Sequence, residues 1–68
     1  MSTADDAQKL ADRMAIDNRI AAVRENIQQL TEQAAAYSGA GTEDLIANRI
    51  AAQEELLAKL QAERAALG

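Results

Sequence analysis

The sequence predicts an all-α fold: an antiparallel helical hairpin of coiled-coil type, expected to dimerise into a four-helix bundle. Three observations predict it. Apolar residues recur at alternating spacings of three and four in two stretches. A single glycine-bearing break, Ser38-Gly39-Ala40-Gly41-Thr42, separates those stretches. The composition is that of a helix former, rich in Ala, Leu, Glu, Gln and Arg and without proline.

The first helix is predicted over about 3–37. Ser2 or Thr3 can cap it, with Asp5 or Asp6 three residues on, an aspartate variant of the capping box. Its apolar stripe runs Ile16, Ile20, Val23, Ile27, Leu30, Ala34 and Tyr37, with gaps of 4, 3, 4, 3, 4 and 3. This alternation keeps one seam facing a neighbour in left-handed helix packing.

The turn is predicted at 38–42. Glycine just past a periodic stretch enters the left-handed conformation without steric cost, which ends a helix. Thr42 then reads as the N-cap of a second helix over about 43–67, with Glu43 and Asp44 placing negative charge in its first turn. Its stripe runs Ile46, Ile50, Gln53, Leu57, Leu60, Arg64 and Leu67, with the same gaps.

Folding the chain back at the turn sets Tyr37 opposite Ile46, Leu30 opposite Gln53, Ile27 opposite Leu57, Val23 opposite Leu60 and Ile16 opposite Leu67. A short loop makes neighbouring helices antiparallel, and this register needs no slip. Residues 1–68 are thus expected to form a single domain.

Two seam positions are polar. Gln53 reads as a selector of register or oligomeric state, because a covered amide must find a hydrogen-bond partner. Arg64 can lay its stem along the seam and lift its guanidinium to the rim, where Asp17 is the natural partner. Asp5 with Lys9 and Glu55 with Lys59 have the spacing of ordinary helix ion pairs.

Self-association is expected for three reasons. A chain of 68 residues buries only about 60% of its unfolded surface, and with neither cysteine nor histidine it has no disulfide and only carboxylates as metal ligands. The apolar face is also broad. Leu45 and Leu56 fall outside the seam, and alanine pairs recur beside it at Ala21-Ala22, Ala35-Ala36, Ala51-Ala52 and Ala65-Ala66, while Glu25, Glu32, Glu54 and Glu55 mark the far side. Finally, residues 3–15 outrun the second helix by roughly 20 Å, carrying Ala7, Leu10 and Met14 on a face about 150° around from the Ile20 stripe. A homo-oligomer, dimer or higher, is expected. It would be held by Leu10, Met14, Ile16, Ile20, Val23, Ile27, Leu30, Leu45, Ile50, Gln53, Leu56, Leu57, Leu60 and Leu67, with residues 3–15 offering a site for a further protein partner.

Composition narrows function. No Ser-His, Cys-His or Lys-based constellation is read in the chain, which has neither His nor Cys, so no enzyme and no cofactor or metal site is expected. A net charge of −4 argues against nucleic acid and against an anionic membrane surface. No apolar run approaches the ~20 residues that span a bilayer, and the acidic N-terminus does not resemble a signal peptide, so a cytoplasmic location is the default expectation. The leading expectation is a non-enzymatic interaction and assembly protein. The alternatives are a small acidic inhibitor that covers a basic surface on a partner and, less favoured, an RNA-binding hairpin bundle using Arg13, Arg19 and Arg24.

Overall fold

Two helices make up the structure, a computed structural model that describes the backbone of residues 3–36 and 40–68 and the side chains of residues 3–36 and 43–68. Helix α1 spans Thr3–Ala36 and helix α2 spans Ala40–Ala66, and they pack against each other along their length. The molecule measures 57 × 15 × 11 Å. Since a helix with its side chains is about 10–12 Å across, the shortest dimension is one helix thick. Each helix therefore has one neighbour and two uncovered sides.

The predicted seam is the observed one. Ile20, Val23, Ile46 and Leu60 are buried, and Leu60 is 2% exposed. Ile16, Ile27, Leu30 and Ala34 of α1, and Ile50, Gln53, Leu57 and Arg64 of α2, are half-buried, as is Leu67 beyond it. Ile20, Val23 and Leu60 form the core, with Ile16, Ile27 and Leu57 packed on it. Val23 and Leu60, expected opposite each other, share that core, and Ile27 and Leu57 both pack on it. Tyr37, Ser38 and Gly39 lie outside the described residues, so the contact expected of Tyr37 does too.

The rim confirms the antiparallel register. Arg64 Nε donates to Asp17 Oδ1 at 2.8 Å, the ion pair expected from the sequence. It is the only ion pair among the described residues. Asp5 and Lys9 do not close on each other, nor do Glu55 and Lys59, a correction to the sequence expectation. Holding two long exposed side chains in one geometry costs about as much as the screened attraction gains. In that stretch Gln8 Nε2 instead donates to Asp12 Oδ1 at 2.9 Å.

A second correction concerns the start of α2. The helix begins at Ala40, so Gly41 and Thr42 are helical and Thr42 is not the N-cap, and Glu43 is the acid of the first turn while Asp44 falls beyond it. Without proline in the segment, each further helical residue adds a backbone hydrogen bond, which outweighs the ~1 kcal/mol that glycine costs relative to alanine. At the other end, Leu67 N–H donates to the carbonyls of Glu63 and Arg64, and Gly68 N–H donates to Ala65, each at 3.2 Å. Gly68 stands at φ +91°, the left-handed region that closes a helix and that glycine enters freely.

The N-terminal part of α1 projects past α2. Arg13 Nη1 donates to Gly68 O at 3.5 Å, which marks where the second helix stops. Residues 3–12 are exposed throughout, an arm of about 15 Å at 1.5 Å per residue. Continuing the seam backwards from Ile16 reaches Arg13, Lys9 and Asp6. These charged side chains need water, so the seam ends for a chemical reason where α2 ends.

Candidate interaction surface

Most of the residues assigned to an interface from sequence are covered inside the hairpin. Ile20, Val23 and Leu60 are buried, and Ile16, Ile27, Leu30, Ile50, Gln53, Leu57 and Leu67 are half-buried along the seam. Among the described residues, the large apolar side chains left to meet a partner are Leu10, Met14, Leu45 and Leu56, at 51%, 57%, 51% and 37% exposure.

These four divide between two sides of the rod. A groove of about 330 Å³ runs beside the seam, lined by Asn26, Gln29, Leu30 and Gln33 of α1 and by Arg49, Ala52 and Gln53 of α2. It shows that the Asn26–Gln29–Gln33 line and the Arg49–Ala52 line look out on the same side. Leu45 and Leu56 extend the Arg49–Ala52 line at spacings of 4, 3 and 4, so both flank the groove. Leu10 and Met14 belong to a line that continues through Asp17 and Ala21, about 100° from the seam in the other direction. This is a correction to the angle of about 150° expected, because each lies one residue past a seam position. They lie on the opposite side of the hairpin.

Gln53 sits where the seam opens into the groove. Half-buried, its Oε1 accepts from Asn26 Nδ2 at 3.4 Å, a long hydrogen bond that joins the two helices. The amides of Gln29 and Gln33 continue the polar rim, and Leu30 and Ala52 supply its apolar part. Each amide can donate and accept, so the rim can satisfy either kind of polar group brought against it.

Charge is segregated in the same way. Where the two helices are paired, the groove side carries Arg19, Arg49 and Lys59 against Glu63, while Asp5 and Asp12 continue the same flank on the projecting part of α1. Asp17 and Glu54 fall with Arg24 on the opposite side, and Glu25, Glu32 and Glu55 fall on the back. Among the described residues, Arg19, Arg49 and Lys59 have no ion-pair partner. The groove side is thus basic, amide-rich and partly apolar. Sequence reasoning missed Asn26, Gln29, Gln33 and Arg49. Their signal was spacing, since each lies one step outside the seam on the same flank.

Among the described residues, no helix is long and apolar enough to cross a membrane. Compared with known protein families, curated proteins and solved structures, the chain matches none.

Proposed function

We propose that the chain is a non-enzymatic assembly protein, a helical hairpin that acts by associating with further copies of itself. The observation that carries this reading is the exposure of Leu45 and Leu56 beside an open groove in a rod one helix thick. Among the described residues, α1 and α2 pack only on each other and leave that side uncovered. Two hairpins set together on it make a four-helix homodimer, the smallest closed form and the one expected from the sequence.

Burying what remains exposed of each leucine contributes roughly 1 kcal/mol. Association costs several times that in lost freedom of motion. The alanines and amides beside the leucines must therefore share the contact, and the affinity belongs to the weak class, about micromolar to millimolar. Light scattering on a size-exclusion column tests the reading, with a mass of at least two chains expected near millimolar protein. A single-chain mass at every concentration, with a melting temperature indifferent to dilution, would overturn it.

A further inference from the structure

We propose that the N-terminal arm of one copy, residues 3–14, lies along the groove side of a second copy between Leu45 and Leu56, so that the chain assembles head to tail. This rests on the self-association reading above and replaces its two-fold dimer with a joint between unlike surfaces. Leu10 and Met14 look out on one side of the hairpin and Leu45 and Leu56 on the other. A two-fold joint places the same surface on both partners, so a dimer closed on the groove side leaves the arm in water, and one closed on the arms leaves the groove open. A joint of arm to groove side covers both sets of residues at once.

The dimensions agree. The ten residues of the arm extend about 15 Å, with Met14 half a turn behind them, and the eleven steps from Leu45 to Leu56 cover about 16.5 Å. The groove opens between those leucines, where Leu30 and Ala52 can receive Leu10 and Met14, which are one helical turn apart. Charge agrees as well. Asp6 lies one turn before Leu10 on nearly the same face of the arm as Leu10 and Met14, while Arg49 lines the groove. A joint between two different surfaces leaves one of each free at the ends. It therefore propagates as a ring or an open chain rather than stopping at two.

Two variants of the full chain separate the possibilities. Met14→Asp spoils the arm and leaves the groove side intact; Leu56→Asp does the reverse. Both residues are exposed, so unchanged helicity by circular dichroism checks that each variant folds. For the unaltered chain, sedimentation or light scattering should show a mass that climbs past two chains as concentration rises. Each variant alone should associate at least tenfold more weakly. An equimolar mixture should form a one-to-one pair with the unaltered affinity and stop there, because it holds one intact arm and one intact groove side for a single joint. A mass that levels off at two chains, with only one of the variants disrupting it and no recovery on mixing, overturns the head-to-tail joint while leaving self-association standing. A single chain at every concentration overturns both.

Discussion

Leu60 and Leu56 sit four residues apart on the same helix, yet one is 2% and the other 37% exposed. The difference is one of angle from the seam, and it sets what each residue does. Leu60→Ala should destabilise the hairpin by about 3 kcal/mol, the transfer loss plus the cavity left behind. Leu56→Ala in dilute solution should cost under about 1 kcal/mol. Denaturant midpoints of the two variants check this, and equal effects would refute the seam assignment. Arg64 and Asp17 form a rim pair whose side chains are 35% and 53% exposed. Its removal by Asp17→Asn should change stability by no more than about 1 kcal/mol, measured in the same way. Gln53 is different, because it holds a seam position and meets Asn26 across the helices. Gln53→Leu should raise stability while loosening the choice of register and assembly size, which a broader mass distribution would reveal.

At the scale of the helices, the point at issue is where each one starts and stops. Because α2 begins at Ala40, Gly41 lies in helical backbone. Gly41→Ala should then stabilise the chain by about 0.5–1 kcal/mol. A glycine held in a left-handed turn would give a loss instead, so the sign of the change in melting temperature decides between the two arrangements. The arm is the other boundary. Residues 3–12 cover nothing in the hairpin, and their seam-side positions carry Asp6 and Lys9. Removing residues 1–12 should leave the dilute melting transition within about 0.5 kcal/mol of the full chain. The same truncation should weaken self-association at least tenfold, because it removes one surface of the joint.

Over the whole molecule, the governing feature is thinness. A rod 11 Å deep cannot surround a core, so burial is confined to one line of side chains and both broad sides stay in contact with water. The two sides are chemically unlike. One carries Arg49, amides and two leucines, and the other presents Leu10 and Met14 together with Asp17, Arg24 and Glu54. Contact between unlike sides is favoured by charge as well as by apolar area. Raising the salt from about 0.05 to 0.5 M should therefore weaken association several-fold without abolishing it, since screening removes the charge contribution alone. Growth of the assembly that strengthens with salt would assign the joint to apolar contact only.

The sequence by itself determined the number of helices, their seam, their antiparallel register and the Asp17–Arg64 pair. All of these follow from local periodicity: a helix turns by about 100° per residue, so spacing along the chain fixes which residues share a stripe. Even Gln53 and Arg64 occupy the seam as the spacing requires. What only the tertiary structure decided was on which side of the hairpin each flanking line looks out. Spacing measures an angle from the seam within one helix, but a side exists only once two helices lie together. Asn26, Gln29 and Gln33 became one surface with Arg49 and Ala52 at that point, and Leu10 and Met14 were set on the far side from Leu45 and Leu56. The start of α2 was likewise decided by continued backbone hydrogen bonding through Gly41 and Thr42, which outweighed the local turn and cap preferences of those residues.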